Sequence, residues 1–366
     1  MAQLYFKTFS IPYILIIAFI FFLIVISLSY KRLNRKKIAA IVIIIFLWLL
    51  GQNSTDYYFG HKFYELQHNW HYIAYGIFAI IMYRHLINLN KSSSQIIRIT
   101  LTVAILLSVF DELIQIPLSD RTFDICDIAK DTWGAILGLY FVFYVIEDGE
   151  IVKDSWSIFR TSWRTYFIAP FPLLIFSTFF SYFFLFISSI LTESKYLGWI
   201  ILFTISLFLI IFLIIHQLQY KKARIAILIL AGIVLILQLV FFFTNINKDV
   251  IYHKNGITVY KGIPLIYFDL MINPNGTFRF VDKKLNFNIR DKHTIMKKEA
   301  DIIVFGTGKK QRLNIGVSEE KTSHFIYNIR SKKVIQFIIL DSKMACEKFN
   351  KLKKSGQNVL LILHNE

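Results

Sequence analysis

Long apolar runs constrain this chain more than any other feature, because they recur through its first two-thirds. A run of about 20 apolar residues is the length that an α-helix needs to cross about 30 Å of hydrocarbon. We predict eight such spans, at residues 10–29, 38–56, 70–88, 97–116, 128–146, 167–191, 197–216 and 225–244. Of the 366 residues, 55% are hydrophobic and the mean hydropathy is +0.53, too apolar for an ordinary soluble domain. The predicted fold is a polytopic membrane bundle of about eight transmembrane helices, followed by a small α/β domain.

The distribution of basic residues between the predicted loops indicates how the bundle is oriented. Lys and Arg accumulate in the loops that face the cytoplasm. One set of loops carries 14 of these residues, whereas the alternating set carries five. We therefore expect a multi-pass protein of the cell membrane whose N-terminus lies outside the cytoplasm. Eight spans would return the C-terminal domain to that same outer side.

Three stretches place ionisable side chains near helix ends where apolar residues are expected. The predicted topology puts all three at the outer end of the bundle. Ionisable groups within a membrane usually face the bundle interior or a wet cavity, because exposing them to lipid is unfavourable. The sequence therefore predicts a polar pocket at the outer leaflet. Its residues are His68, His71 and Tyr75 in the first stretch, Asp111, Glu112 and Gln115 in the second, and Arg121, Asp124, Asp127 and Asp131 in the third.

The residue types of this pocket suit an anionic substrate that is lipid-linked or part of the cell envelope. Arg121 can hold a phosphate or carboxylate through two parallel hydrogen bonds. His71 changes charge near neutral pH and suits an acid–base role, with two carboxylates to orient the substrate or shuttle protons. The predicted catalytic residues are His71, Glu112 and Asp127, and the predicted substrate-binding residues are Arg121, Gln115, Tyr75 and Asp131.

Alternative interpretations of the same residues do not require a substrate. Gly134 and Gly138 are spaced as residues that let two helices approach closely. Asp124 and Asp127 can cap a helix N-terminus, and an arginine–carboxylate network can hold a non-catalytic scaffold together. Oxygen ligands also suit Mg²⁺ or Ca²⁺, although no cofactor is expected otherwise. The cation site would consist of Asp111, Glu112, Asp127 and Asp131.

Together the three stretches resemble the VanZ-like family of bacterial membrane proteins, over about residues 38–147. One departure is Asp131, which stands where the family often has Asn, and another is Gln67-His68 in place of an Asp-Lys pair. The resemblance implies a role in the cell envelope and assigns no reaction. The matching elements are His71-Tyr72-Ile73-Ala74-Tyr75, then Glu112 and Gln115, then Arg121, Asp127, Asp131, Gly134 and Gly138.

The chain changes character after residue 247, where strand-length segments replace the long apolar runs. The turn Asn273-Pro274-Asn275-Gly276 separates two predicted strands. Residues 334–340, 342–354 and 359–364 follow a β-α-β pattern, which indicates a small α/β domain. We therefore divide the chain into a VanZ-like part with an extra first helix at 1–166, three further spans at 167–247 and a small domain at 248–366.

This C-terminal part resembles the small domain of the adipogenesis-associated Mth-domain family, which has no assigned catalytic centre. Residues 248–366 hold 22 basic and 11 acidic side chains, and no nucleic-acid-binding motif is present. We expect contact with the lipid bilayer rather than with nucleic acid. The residues that carry the resemblance are Gly256, Gly276, Gly306-Thr307-Gly308, Asp341, Cys346, Asn350 and Gly356.

Overall fold

The computed structural model describes residues 3–5, 10–12, 34–55, 66–117, 123–152, 162–247, 249–284, 286–287, 289–298, 300–308, 323–328 and 332–365. A short antiparallel pair of strands, β1 and β2, precedes a helical bundle. The strands are Gln3–Tyr5 and Ser10–Pro12. The bundle helices are α1 (Arg35–Asn53), α2 (Leu66–Asn88), α3 (Ser93–Gln115), α4 (Ile125–Tyr140), α5 (Trp163–Ile168), α6 (Pro170–Ile190), α7 (Leu197–Gln217) and α8 (Lys221–Asn245).

Five segments of the described part are long and apolar enough to cross a membrane, judged by length and composition. The prediction of eight spans is therefore not supported. Helices α2 and α3 are each 23 residues long, but polar residues interrupt both of them. The first predicted span begins in β2 and otherwise lies outside the described residues. The five segments are Arg35–Asn53, Ile125–Ile146, Pro170–Ile190, Ser194–Gln217 and Lys221–Asn245.

The start of the sixth predicted span differs from the prediction because of proline. Helix α5 ends at Ile168, and Ala169 has an extended backbone with ψ of 129°. Pro170 then occupies the first turn of α6, where its missing N–H and fixed φ are compatible with a helix. The apolar run that begins at residue 167 is thus divided between two helices.

Helix α4 lies at the centre of the bundle, and residues 128–140 are all buried. Two of its glycines face α2. A Cβ atom built on Gly134 would lie 2.9 Å from the backbone oxygen of His71, and one built on Gly138 would overlap the backbone of Gly76. Larger side chains would push the two helices apart. The predicted packing role of Gly134 and Gly138 is confirmed.

Hydrogen bonds between neighbouring helices show which ends lie together. Trp48 and Gln52, near the end of α1, both donate to Oδ1 of Asn69 at the start of α2, at 2.8 and 2.7 Å. Cys126 at the start of α4 lies 3.3 Å from Ser189 near the end of α6. We call this the polar end of the bundle: the last turns of α1, α3 and α6 with the first turns of α2 and α4.

The opposite end carries several basic residues of the loops that the charge count assigned to the cytoplasm. Lys37 forms an ion pair with Asp148 at 3.1 Å. Arg98 donates to the backbone oxygen of Phe167 at 3.1 Å. Helix α4 continues into this end as a π-helical turn, Phe141–Ile146.

The C-terminal part contains two sheets. The smaller is antiparallel and consists of β3 (Val250–Lys254), β4 (Ile257–Tyr260) and β5 (Ile263–Ile266). The larger has the order β7-β6-β11-β8-β10-β9, with β8 parallel to both β10 and β11. The predicted β-α-β pattern is present as β10, α10 and β11. The remaining elements are β6 (Asp269–Ile272), β7 (Phe278–Val281), α9 (Ile289–Met296), β8 (Ile302–Gly306), β9 (Ser323–Asn328), β10 (Lys333–Leu340), α10 (Ser342–Lys354) and β11 (Val359–Leu363).

The C-terminal part docks on the polar end of the bundle. The backbone N–H of Lys283 donates to the carbonyl of Ile190, the last residue of α6, at 2.9 Å. Asp282 accepts from the backbone N–H and the hydroxyl of Thr192, at 3.2 and 2.8 Å. Apolar side chains at the end of α6 and the start of α7 share a core with the larger sheet. Unsatisfied groups at the end of a helix are thereby paired across the junction.

The buried Asp282 at this junction gives a prediction about pH. Burial raises the pKa of this carboxyl from 3.8 to about 6. The folded protein then holds the proton more tightly than the unfolded chain does, so stability should fall as pH rises from 3.8 to about 6. We expect Asp282→Asn to flatten this slope in thermal unfolding measured in detergent.

The matched control is Asp301→Asn, because Asp301 lies on the surface of the same part of the chain. This variant should keep the pH slope of the parent protein. Burial also raises the pKa of Asp269, so part of the slope should remain after Asp282 is replaced. An unchanged slope in Asp282→Asn would contradict the prediction.

Candidate functional site

The candidate site is a hydrogen-bonded cluster that joins three helices at the polar end. His71 is in the second turn of α2, and its Nδ1 lies 2.8 Å from Oδ1 of Asp131 on α4. Ser108, near the end of α3, donates to Oδ2 of the same carboxylate at 2.5 Å. Each oxygen of Asp131 is therefore engaged by a different neighbouring helix.

The local sequence explains why these three side chains meet. Gly134 lets the backbone of α2 approach at the level of His71, and Asp131 lies one turn before that glycine. Asp124 caps α4 by accepting from the backbone N–H of Cys126 at 2.8 Å, which fixes where the helix begins. An aspartate in this position satisfies a backbone donor that has no partner within the helix.

A second carboxylate, Asp127, faces the other nitrogen of the imidazole. Its Oδ1 lies 3.7 Å from Nε2 of His71 and 2.9 Å from Nζ of Lys130. The side chains of His71 and Asp127 are 27% and 22% exposed, whereas that of Asp131 is 6% exposed. The buried carboxylate of Asp131 thus holds the Nδ1 side of a ring that is itself partly exposed, and Asp127 faces its Nε2 side.

Glu112, which the sequence predicts to be catalytic, forms a hydrogen bond to the start of the next helix. It is buried, and its Oε2 accepts from the backbone N–H of Asp124 at 2.8 Å. The contact ties the end of α3 to the start of α4, across the connection that contains residues 116–123. Glu112 therefore holds the start of α4 against the end of α3.

The other predicted site residues divide into those near the cluster and those away from it. Tyr75 lies beside Ser108 and Asp131. Asp111 is exposed and accepts from Gln115 at 3.0 Å, and within the described part of the chain this pair forms no hydrogen bond to the His71 cluster. Arg121 and the side chain of His68 lie outside the described residues.

The predicted cation ligands do not form a group in the part of the chain that the structure describes. There, no set of three or more His, Cys, Asp or Glu side chains is arranged to hold a metal ion. Asp127 is paired with Lys130, and Asp131 with His71 and Ser108. The carboxylates are thus directed toward protein donors.

Sequence reasoning missed three residues that build this end. Ser108 precedes Glu112 by one helical turn, and that spacing alone places it on the face that carries Glu112. Lys130 follows Asp127 by three residues, a spacing that favours an ion pair. Asn69 gave no such signal, because its partners belong to another helix.

The geometry of the His71 cluster indicates which chemistry it can perform. A carboxylate on Nδ1 fixes the orientation of an imidazole and stabilises its charged form. Nε2 of this partly exposed ring can then exchange a proton with a bound group. Ser108 donates to Asp131 rather than to His71, so this arrangement does not activate it as a nucleophile.

Comparison with protein families supports the resemblance for the first part of the chain. The family described as VanZ/LLP1 matches residues 9–147. This range includes the whole His71 cluster. Similarity to this family suggests a membrane protein that takes part in processes of the cell envelope.

The other comparisons do not identify the C-terminal part. The comparison with curated proteins gave no match. A solved structure titled "MT938" is 13% identical and covers 32% of this chain and 96% of its own, with a TM-score of 0.25. A likeness this weak carries no conclusion about the fold. The resemblance to the Mth-domain family stays a prediction.

Proposed function

We propose that this chain, similar to VanZ/LLP1 proteins over residues 9–147, is a membrane protein of the cell envelope that binds a lipid-linked or other anionic envelope substrate at its polar end. In this proposal the His71 cluster receives the polar part of the substrate. The surrounding apolar helices hold the cluster at the depth of a lipid headgroup, and the loop charges favour the outer leaflet.

The observation that carries the proposal is the difference in exposure within one hydrogen-bonded unit. Asp131 is buried and bonded on both oxygens, whereas the side chain of His71 is 27% exposed and its Nε2 has no hydrogen bond to the described residues within normal distance. A purely structural histidine would be expected to use both nitrogens in buried bonds. A held but accessible imidazole is the arrangement that proton transfer to a substrate requires.

The proposal gives the remaining residues distinct tasks. Asp127 and Lys130 form an ion pair beside Nε2 that an incoming anion can rearrange. Arg121 is assigned to the anionic group of the substrate, by its sequence position between the ends of α3 and α4. Asp131 and Glu112 act as positioning residues.

The experiment replaces His71 by asparagine, whose amide nitrogen can occupy the place of Nδ1 and keep the bond to Asp131. We expect this variant to retain its unfolding temperature in detergent while failing to restore envelope-stress tolerance to a strain that lacks the protein. Loss of a positioned acid–base group typically slows a reaction by about 10²–10⁴-fold. The readouts are thermal unfolding and complementation.

His85→Asn is the matched control, because His85 is an exposed residue in the last turn of the same helix. It should behave like the parent protein in both assays. The scaffold alternative expects the opposite pattern, in which His71→Asn complements fully. That outcome would leave the polar residues with a structural role only.

A further inference from the structure

A cavity of about 170 Å³ lies between the helices of the bundle, and His71 is not among its lining residues. Its walls come from α3, α4, α5, α6 and α7 and consist mainly of aromatic and aliphatic side chains. Leu101, Ile105 and Phe180 line it and are themselves half-exposed. The cavity therefore opens on the lipid-facing surface between α3 and α6.

The cavity begins about one helical turn below the polar cluster. Ile105 precedes Ser108 by three residues on α3, a rise of about 4.5 Å. Thr132 follows Asp131 directly on α4 and also lines the cavity. From this level the cavity runs along α6 from Ser181 to Leu173, about 12 Å toward the opposite end of the bundle.

One polar group on the wall has no partner among the described residues. The hydroxyl of Ser181 is 1% exposed and makes no hydrogen bond to them. A buried hydroxyl without a partner is unfavourable, and most such groups are satisfied by protein, water or ligand. Ser181 lies in the upper part of the cavity, nearer the polar end of the bundle. Tyr166, Phe167 and Phe176 lie in the lower part, toward the opposite end.

The size and polarity of the cavity together indicate which kind of ligand fits in it. A cavity of about 150 Å³ lined by apolar side chains accepts a molecule of the size of benzene, so this one has room for a chain segment of about six carbons. The lower part of the cavity is mainly aromatic. Thr132, Tyr166 and Ser177 also bring hydroxyl groups to the wall, but Ser181 is the lining residue whose buried hydroxyl has no partner among the described residues.

We propose that this cavity binds a segment of an acyl chain of a membrane lipid, with the hydroxyl of Ser181 donating to a carbonyl oxygen of that lipid. The inference deepens the proposed function, on which it rests for the headgroup: the lipid whose polar part reaches the His71 cluster places its chain here. The substrate class is then an acylated anionic lipid.

The test uses the full chain in lipid nanodiscs that contain phosphatidylglycerol with a diazirine in one acyl chain. Illumination should label peptides from the cavity walls of α3 and α6, identified by mass spectrometry. Ser181→Leu fills the cavity and removes the hydroxyl donor. Because the acyl chain then loses its buried apolar contacts, we expect labelling of the cavity walls to fall about tenfold or more.

A second filled variant, Ser177→Leu, keeps the test valid if Ser181→Leu folds poorly, because Ser177 lines the same cavity. The matched control is Thr102→Leu, at an exposed position next to Leu101 that does not line it. The control should be labelled like the parent protein. Even labelling of all lipid-facing helices, or full cavity labelling in both filled variants, would overturn the proposal.

The two proposals fail separately. If His71→Asn complements normally while the cavity is labelled and the filled variants are not, the proposed function is wrong and the chain site stands. If His71→Asn fails to complement while cavity labelling is unaffected by filling, the chain site is overturned and the headgroup site stands.

Discussion

Replacing Gly138 by leucine should cause a large loss of stability in the membrane part. A Cβ atom at this position would lie 2.8 Å from Cβ of Ala79 and 2.9 Å from Cα of Gly76. Backbone atoms cannot move aside as the end of a flexible side chain can, so α2 and α4 must separate. Overpacking typically costs about 1–3 kcal/mol and sometimes more, and a backbone contact should place this variant at or above the upper value. Thermal unfolding in detergent measures the effect.

Gly232→Leu provides the comparison. Gly232 is also in an apolar helix, α8, but no atom lies within 4 Å of a Cβ built there. The variant should unfold at or slightly above the temperature of the parent protein, because leucine favours a helix more than glycine does. Similar unfolding temperatures for the two variants would show that α2 and α4 do not meet at Gly138.

The second large effect is expected for Asp269→Ala in the C-terminal part. Asp269 is 2% exposed and lies 2.6 Å from Nδ1 of His364. It also accepts from the backbone N–H of Asn365 at 2.9 Å, and the ammonium group of Lys283 lies 3.8 Å away. Removal of the carboxylate leaves buried polar groups uncompensated. Breaking a buried ion pair in this way typically costs about 3–5 kcal/mol.

The control variant Asp301→Ala tests whether the loss of stability requires a buried carboxylate or follows from removing any carboxylate of this part of the chain. Asp301 pairs with Lys333 at 3.6 Å, but the two side chains are 48% and 66% exposed. An exposed pair contributes about 0–1 kcal/mol, so this variant should be nearly as stable as the parent. Chemical denaturation of both variants measures the difference. Equal losses would indicate that the buried cluster around Asp269 does not stabilise the fold as its geometry implies.

Much of the candidate site could be predicted from spacing alone. The stretches that contain His71, Glu112 and Asp131 were expected at one end of the bundle, and the structure brings them to its polar end. Successive spans run in opposite directions, so the order of the stretches along the chain places them at one end of the bundle without tertiary information. The packing role of Gly134 followed from its spacing to Gly138.

The hydrogen-bond partners could not be predicted, because they depend on distances between helices. Glu112 bonds to a backbone N–H, which every residue offers, so its sequence context gave no indication of that partner. Ser108 was overlooked since a lone serine in a helix usually bonds within its own helix. Among the described residues, two predicted spans are not supported for a related reason. Helices α2 and α3 have polar positions, so they are as long as a span without being apolar throughout.

The shared core at the junction limits how this protein can be taken apart. Ile190 and Ile200 of the bundle are fully buried in one cluster with Ile303 and Phe305 of the larger sheet. Residues 248–366 produced alone would therefore expose an aggregation-prone apolar surface, and the bundle truncated at residue 247 would expose the apolar surface that packs against it. A working chimera with another membrane anchor must transplant the ends of α6 and α7 together with the sheet. During biosynthesis the sheet can complete its folding only after those two helices have been inserted.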